Sequence, residues 1–373
     1  MNSADKPNIV LVGAGHAHLH TIKRVHSLIE QGVNVTVVSP DKFWYSGLAT
    51  GMLGGMYSAE LDQVDVAALV RSRGASIIAG ALQSIDHKMK SVILQDGTCV
   101  PFDVLSLNIG SASRPLPGEN ERCYQVKPIR RLYELRQRLE REFASPSGKA
   151  LDIAVAGGGI TAFEIAGNVK ALAERFQRAC NVTILCGSQR PLSELAAAAA
   201  ERVIKNFSDR GIRLSATGKI VEIDGRVAKL RDNHEISFDF LVNATGLIAD
   251  TIGKDLGIPL DSSGGILVDD TLRSPEYQNI FAVGDCATFA SNPLPKIGVY
   301  AIRQSPILFH NIQAMISGVS LRQFVPQKLY LSIITLGDGN GLATRGSWWY
   351  FGRAAFLLKD WIDRRFLSSI QPT

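Results

Sequence analysis

Several features that would place a protein in a membrane, outside the cell or on a nucleic acid are missing from this chain of 373 residues. No apolar run reaches the ~18 residues that a membrane-spanning helix needs. The amino terminus leads into an apolar strand without the pattern of a signal peptide. The net charge of +5 is small and dispersed, which argues against a nucleic-acid-binding surface. These absences predict a cytoplasmic protein.

Cysteine is also scarce. The five cysteines are odd in number and scattered, which suits a reducing compartment and argues against a disulfide framework. Apolar residues make up 46% of the chain, and the 34 glycines suit a protein with many tight turns. The length is sufficient for two domains with cores of their own, and because no low-complexity linker is present we expect them to pack closely.

The first pattern that is present combines a strand, a glycine-rich turn, a helix and a second strand. The first strand runs from Asn8 to Val12, the helical pattern extends to Gln31, and the second strand covers residues 34–39. The turn between them contains Gly13, Ala14, Gly15, His16, Ala17 and His18. In dinucleotide-binding units of this kind, helix amides hold a pyrophosphate. Two positions depart from the usual pattern. His18 replaces the third glycine, and Ser39 replaces the carboxylate that normally ends the second strand, with Asp41 two residues later.

The same pattern returns in the middle of the chain. A strand from Leu151 leads into a turn at residues 157–164, and residues 181–185 form the next strand. The segments 102–110 and 238–246 form a second parallel, because each ends a run of short alternating stretches. Internal duplication of this kind indicates two nucleotide-binding domains built on one plan.

A third feature is the short apolar strand Ile280 to Val283, which leads into Gly284 and Asp285. Glycine lets the backbone approach a ligand closely, and the carboxylate can accept hydrogen bonds from hydroxyl groups. We expect a following helix to direct its amide donors at the same place. Alone, the pair also suits an ordinary surface turn, and it gains its significance beside the two glycine turns.

Together these residues resemble the flavoproteins with two dinucleotide domains, the pyridine nucleotide-disulfide oxidoreductase superfamily. Within it, the chain looks most similar to type II NADH dehydrogenases and to the flavin domains fused to selenide, water dikinases. The closer likeness depends on residues 13–19, 45–47, 294–298 and 358–366, and the resemblance covers nearly the whole chain.

The resemblance implies an α/β fold with two Rossmann-like three-layer (ββα) domains, the NAD(P) domain being inserted in the FAD domain, and a short α+β tail. The implied boundaries are 1–115 and 239–325 for the FAD-binding domain, 116–147 for a connecting segment, 148–238 for the NAD(P)H-binding domain and 326–373 for the tail. The positions implied for FAD are Gly13, Ala14, Gly15, His16, Ala17, Ser39, Ser46, Gly110, Thr245, Gly246, Gly284, Asp285, Lys296, Gly298 and Val299. Those implied for NAD(P)H are Gly157, Gly159, Ile160 and Arg190.

The resemblance also implies three catalytic positions. Glu164 matches a carboxylate near nicotinamide and flavin, although an ordinary helix glutamate is the alternative. Residues 298–304 begin a helix whose dipole is expected to stabilise anionic reduced flavin. In type II NADH dehydrogenases this segment carries two glutamines four residues apart beside the quinone, where this chain has Tyr300 and Gln304.

The implied function is a FAD-dependent NAD(P)H oxidoreductase that passes electrons to a quinone-like acceptor. Nicotinamide would stack on one flavin face and deliver a hydride to N5, and the protein would supply orientation and field. The alternatives are a soluble flavin reductase serving a protein or selenium-pathway acceptor, and a flavin-binding regulatory protein with slow turnover.

Cysteine positions bear on this mechanism. The family's redox-active disulfide would lie within residues 45–52, which contain no cysteine, and the closest pair, Cys180 and Cys186, flanks a strand of the second domain. We therefore expect no redox-active disulfide. Sulfide oxidation through a cysteine persulfide is also disfavoured, although Cys123 leaves that route open. Cys186 also stands about where a carboxylate would bind the adenosine ribose, and residues 187–190 follow it. Without that carboxylate a 2′-phosphate is not repelled, and Arg190 can attract it, so we expect both NADH and NADPH to be used.

The histidines at positions 16, 18 and 20 suggest a metal site, but no metal is expected. The helix amino terminus already carries positive potential, and no carboxylate or cysteine lies nearby in sequence. A place beside the pyrophosphate is the better assignment.

The tail predicts weak peripheral contact with the inner face of a membrane. Aromatic residues 348–351 precede an amphipathic helix over residues 354–366, with cations around its apolar face. The apolar stripe consists of Ala354, Leu357, Leu358, Trp361, Ile362 and Phe366. The same stripe can instead pack against the flavin domain or against a second subunit of a homodimer.

Overall fold

The computed structural model describes residues 6–371 apart from positions 41, 146–147, 189, 217, 250 and 292. Asp41 and Gln189, which follow the second strands of the two predicted nucleotide units, therefore lie outside the described residues.

Residues 8–113 supply four strands of a parallel sheet and a separate antiparallel meander. The elements are β1 (Asn8–Val12), α1 (His16–Ile22), α2 (His26–Glu30), β2 (Asn34–Val38), β3 (Lys42–Trp44), α3 (Ala49–Leu53), β4 (Gln63–Asp65), α4 (Val66–Ser72), β5 (Ser76–Ile78), β6 (Leu82–Asp86), β7 (Ser91–Leu94), β8 (Cys99–Pro101), β9 (Val104–Leu107) and β10 (Ser111–Ser113). β1 pairs in parallel with β2 and β9, and β2 pairs with β5. All four residues of β9 are buried, as expected for a parallel sheet covered on both faces.

The helix predicted to extend to Gln31 is divided into α1 and α2. The amide of Arg24 donates to the carbonyl of Thr21, and that of Val25 donates to the carbonyl of Ile22. These hydrogen bonds span three residues instead of four, so the chain tightens here and the α-helix ends.

Residues 123–243 repeat this plan. The elements are β11 (Cys123–Gln125), α5 (Arg130–Ala144), β12 (Leu151–Ala156), α6 (Ile160–Arg175), β13 (Cys180–Leu185), α7 (Ala197–Asp209), β14 (Arg213–Ser215), β15 (Ile220–Asp224), β16 (Val227–Leu230), β17 (Glu235–Ser237) and β18 (Phe240–Asn243). A parallel sheet has the order β11–β18–β12–β13–β14, and β15–β17 form an antiparallel meander that matches β6–β8. The predicted α/β class with two Rossmann-like units is confirmed.

The second sheet extends beyond the predicted limits 148–238. β18 pairs with β12, and β11 pairs with β18, so one strand joins the sheet from either side of those limits. The physical reason is the duplication itself, because β18 takes the position in its sheet that β9 takes in the first.

The chain then returns to the first sheet. The elements are β19 (Leu247–Ala249), a 3₁₀ turn (Thr251–Asp255), β20 (Ile266–Val268), β21 (Ile280–Ala282), a 3₁₀ turn (Gly284–Cys286), β22 (Ala287–Phe289) and α8 (Gly298–Ser317). β21 pairs with β9, which gives the sheet order β21–β9–β1–β2–β5. The helix expected directly after Asp285 is only a 3₁₀ turn, because β22 pairs with β20 and keeps the chain extended. The α-helix begins instead at Gly298 and packs against α1.

The tail consists of β23 (Ser332–Thr335), β24 (Gly341–Arg345), β25 (Trp348–Gly352) and α9 (Arg353–Ile370). The strands form an antiparallel sheet, and α9 packs on it. Among the described residues, no helix combines the length and the apolar character needed to cross a membrane.

One face of α9 contacts the segment that follows β3. The phenol of Tyr45 donates to Asp363 over 2.8 Å, and Lys359 donates both to Asp363, over 2.6 Å, and to the carbonyl of Gly47. Asp62 is fully buried beside this group, and neither of its carboxylate oxygens has a hydrogen-bond partner. Burial, followed by repulsion from Asp363, raises the pKa of Asp62 to about 8.

We therefore expect Asp62 to make stability depend on pH. Between its ordinary pKa of 3.8 and about 8 the folded chain holds a proton that the unfolded chain releases. The free energy of unfolding should thus fall as pH rises through this window, by up to about 1.4 kcal/mol per pH unit. Asp62→Asn removes this contribution, so the variant should lose less stability between pH 5 and pH 8 in urea titrations. Asp255→Asn, at an exposed site, is the control, and equal slopes for parent and Asp62→Asn would contradict the assignment.

Candidate functional site

The carboxyl ends of β1, β9 and β21 meet at a cavity of about 260 Å³, which we call the first cavity. Ten of the predicted site residues line it: Gly15, His16, Ser46, Gly110, Glu164, Gly246, Gly284, Asp285, Lys296 and Gly298. In parallel α/β sheets, ligands bind at this edge. The structure thus brings together residues that are spread over most of the chain.

Other predicted residues lie near the first cavity without lining it: Gly13, Ala14, Ala17, Ser39 and Val299. The amide of Gly13 donates to the carbonyl of Val38 over 2.8 Å. Ser39 is buried, and its amide donates to the carbonyl of Ile78 over 3.2 Å. These contacts join the ends of β1, β2 and β5 in one edge.

Asn108, which was not predicted from the sequence, lies at the centre of this edge. A β-carbon on Gly13 would lie 2.4 Å from the Asn108 carbonyl oxygen, one on Gly15 would lie 2.4 Å from Asn108 Oδ1, and one on Gly284 would lie 2.5 Å from Asn108 Nδ2. The Asn108 amide donates to the carbonyl of Val283 over 2.8 Å. The glycines are therefore required by contact with Asn108. A polar residue directly after a buried strand in a repeated segment was the signal for it.

His18 provides the explanation for the missing third glycine. Its ring is buried between Gly13 and Ser106. Nδ1 lies 2.6 Å from the Gly13 carbonyl oxygen, and Nε2 lies 2.8 Å from Ser106 Oγ. Burial lowers the pKa of His18 to about 4, so the ring is neutral at physiological pH. Because a carbonyl only accepts, the ring proton is on Nδ1, and Ser106 donates to Nε2. An imidazole thus connects α1 to β1 and β9 by hydrogen bonds.

The charges around the first cavity suit an anionic ligand that also has hydroxyl groups. Asp285 accepts from the Ser111 hydroxyl over 2.9 Å, and Lys127 Nζ lies 3.9 Å from its carboxylate. Lys296 donates to the backbone carbonyl of Asp285. Burial, then the charge of Lys127, lowers the pKa of His16 to about 4, so His16 adds a neutral ring.

Glu164 lies on α6 but faces the first cavity. Its carboxylate accepts from the Thr335 amide over 2.9 Å and from the Thr50 hydroxyl over 3.5 Å. Burial raises the pKa of Glu164, and this outweighs the opposing charge of Lys359. Thr335 belongs to the tail and follows no recognisable motif, and Lys359 lies in the family-like segment 358–366. Neither could be placed beside Glu164 from the sequence.

The other two predicted catalytic residues do not line the first cavity. Gln304 is buried, and its Oε1 accepts from the Gly284 amide over 2.7 Å. The Tyr300 hydroxyl donates to the carbonyl of Gln327 over 3.4 Å, and its ring lies 5.9 Å from that of Tyr330. Gln304 therefore shapes the turn at Gly284.

A second cavity of about 630 Å³ opens at the carboxyl ends of β12 and β13. Five predicted residues line it: Gly157, Gly159, Arg190, Thr245 and Gly246. Gly157 has φ +140°, and a β-carbon there would lie 2.3 Å from the carbonyl oxygen of Ala244. The amide of Ile160, at the start of α6, donates to the carboxylate of Glu194 over 2.7 Å. Glu194 was not predicted from the sequence.

The cysteines are all free thiols, and among the described residues none lines the first cavity. Burial raises the pKa of Cys180 to about 12 and that of Cys286 to about 11. A thiol with a raised pKa is a poor nucleophile at neutral pH.

Comparison with known proteins agrees with this architecture. Type II NADH:quinone oxidoreductase of Staphylococcus aureus is 23% identical over 406 aligned residues, covering 98% of this chain and 96% of that protein. The structure of NDH2 from Plasmodium falciparum in complex with NADH has a TM-score of 0.83 at 15% identity, covering 98% of this chain and 97% of that one. The sulfide:quinone oxidoreductase of Aquifex aeolicus has a TM-score of 0.82 at 17% identity, covering 98% and 91%.

The structural likenesses establish the fold. A model of one family, described as pyridine nucleotide-disulphide oxidoreductase, matches residues 7–311 and so includes both parallel sheets and both cavities. The chain therefore belongs to the pyridine nucleotide-disulphide oxidoreductase family.

Proposed function

We propose that the protein is a FAD-dependent NAD(P)H oxidoreductase that passes electrons to a quinone-like acceptor without a redox-active disulfide. The observation that carries this proposal is the junction of the two cavities. Gly246 and Leu247 line both of them, and α6 of the second domain contributes Thr161 and Glu164 to the first. Ligands in the two cavities would therefore meet beside Glu164.

The residues of the first cavity fit FAD. The Asp285 carboxylate is suited to accept hydrogen bonds from the ribityl hydroxyls, and Lys127 and Lys296 offset the negative charge of a pyrophosphate. Helix α8 begins at Gly298 without a side-chain cap, so its first amides are available to an acceptor. When bound, FAD would supply the hydride and electron transfer chemistry.

The residues of the second cavity fit a nicotinamide dinucleotide. Gly157 allows the backbone of the turn to approach a ligand, and α6 directs its amino end at the cavity. Glu164 is suited to hold a proton at the junction, because burial raises the pKa of this carboxyl group. Reduction of a quinone consumes protons as well as electrons, so a buried carboxyl group with a raised pKa can serve as a general acid.

The S. aureus relative is named an NADH:quinone oxidoreductase, and its similarity over the full length supports a quinone acceptor for this chain. The exposed side of α9 supports weak peripheral attachment to a membrane on the cytoplasmic side. Leu357, Leu358 and Trp361 are 52%, 41% and 56% exposed, so this part of the stripe does not pack against the flavin domain. Phe366 is the exception, since its ring stacks on Tyr45 at 4.7 Å.

The acceptor can be tested by steady-state oxidation of NADPH and of NADH with oxygen alone, with a short-chain quinone and with a low-molecular-weight disulfide. We expect the quinone to increase turnover well above oxygen and the disulfide to have no effect. Glu164→Gln should lower the quinone-dependent kcat by roughly 10²-fold as a proton donor is lost, whereas Glu174→Gln, on the exposed side of α6, should not. Equal rates with and without quinone would rule out the proposed acceptor.

Flavin binding provides a separate test. Asp285→Ala should remove charge-assisted hydrogen bonds worth roughly 1.5–3 kcal/mol, so the purified variant should be largely colourless. The flavin-to-protein absorbance ratio after gel filtration measures this, with Asp270→Ala as a surface control. A yellow Asp285→Ala variant with normal stoichiometry would refute the assignment.

Membrane attachment should depend on the exposed apolar residues of α9. We expect Leu357→Ser combined with Trp361→Ser to reduce sedimentation with anionic liposomes while flavin content is unchanged, since neither residue is buried. Val221→Ser, at an exposed apolar site in the second domain, is the matched control. If the parent ignores liposomes but forms a dimer that the double variant loses, the stripe is instead a subunit interface.

A further inference from the structure

The end of the second cavity beside the carboxyl end of β13, where the adenosine of a dinucleotide would bind, contains cations. Among the described residues there, the usual carboxylate is absent. Cys186 directly follows β13, and its thiol donates to the carbonyl of Ser188 over 3.1 Å. The Ser188 hydroxyl in turn donates to the carbonyl of Arg190 over 3.1 Å. In dinucleotide-binding units a carboxylate at this place accepts hydrogen bonds from the ribose hydroxyls. An unmodified ribose would find no charged acceptor among the residues that the structure describes at this strand end.

Lys219 stands beside this strand end although it is distant from it in sequence. A β-carbon on Gly187 would lie 3.2 Å from Cβ of Lys219, and one on Gly218 would lie 2.8 Å from Cα of Leu185. The segment that precedes β15 therefore crosses directly beside the end of β13. The Lys219 carbonyl accepts from the Arg231 amide over 2.9 Å, which fixes the backbone while the side chain remains exposed.

Lys219 and Arg190 both line the second cavity, and both side chains are exposed. The carboxylate of this cavity, Glu194, lies at its other end, where it accepts from the Ile160 amide over 2.7 Å. A β-carbon on Gly159 would lie 3.0 Å from Glu194 Oε1, so the carboxylate occupies the amino end of α6. A dinucleotide pyrophosphate would compete with Glu194 for this amide.

We infer that the second cavity selects NADPH over NADH, with Lys219 and Arg190 forming a subsite for the 2′-phosphate of the adenosine ribose. This inference rests on the proposed use of a nicotinamide dinucleotide in this cavity. Two cations and no carboxylate at the strand end favour a phosphate, because charge-assisted hydrogen bonds to phosphate are stronger than those to a neutral hydroxyl. Glu194 affects the binding of the pyrophosphate. NADH and NADPH share that group, so Glu194 does not discriminate between the two dinucleotides.

The test uses calorimetric binding of adenosine 2′,5′-bisphosphate and of 5′-AMP to the flavin-loaded protein, followed by anaerobic titration with NADPH and NADH. The parent should bind the bisphosphate about tenfold more tightly than 5′-AMP, the gain expected from a charge-assisted contact. Lys219→Ala and Arg190→Ala should each weaken binding of the bisphosphate and of NADPH, and leave 5′-AMP and NADH unchanged. Lys205→Ala, which removes an exposed lysine of α7, should change nothing.

Glu194→Gln separates the two ends of the cavity. Because a neutral amide competes less for the Ile160 amide, this variant should bind NADPH and NADH more tightly by the same factor, with the preference unchanged. Equal affinity of the parent for the bisphosphate and 5′-AMP, or a preference for NADH, would overturn the 2′-phosphate subsite while leaving the oxidoreductase proposal intact. Failure of both dinucleotides to bind would overturn both.

Discussion

The first domain depends on the position of one amide side chain, that of Asn108. Its backbone and its side chain pack directly against the turns after β1 and β21, and its amide donates to the carbonyl of Val283. Strands from the beginning and the end of the family-matched region are thereby held in contact at one sheet edge. Because a buried asparagine must have its hydrogen bonds satisfied, the two turns are fixed relative to each other. The position of Asn108 therefore determines the shape of the first cavity.

Much of this arrangement could be predicted from the sequence. Apolar runs that end in glycine predicted β1, β12 and β21 and the turns that follow them, because glycine is required where backbone approaches backbone closely. The duplication predicted two units of one plan. The sequence also showed where the pattern is interrupted, at His18, and only the structure could show that Ser106 lies opposite the ring.

The remaining features could not be predicted, because they depend on contacts between segments with no local periodicity. The chain continues from the 3₁₀ turn at Asp285 into a strand instead of a helix because β22 pairs with β20, which is a long-range interaction. Gln304 carried a family motif, yet its side chain is engaged by the Gly284 amide. Thr335 contacts Glu164 at the first cavity and Glu194 lines the second, although both belong to segments in which no motif was recognised. Tertiary context decides such positions, and propensity does not.

The participation of the tail has a consequence for biosynthesis. A ribosome releases the chain from its amino terminus, so the glycine turn after β1 emerges long before its partners. The first sheet is complete only after β21 has been synthesised. Glu164 then gains its hydrogen bond from Thr335, and Gly47 gains its hydrogen bond from Lys359, only after the tail has followed. Contacts between residues so far apart in sequence are slow to form. The edge of β9 must therefore stay uncovered until β21 has been synthesised, and Glu164 must remain without its partner in the tail for longer still.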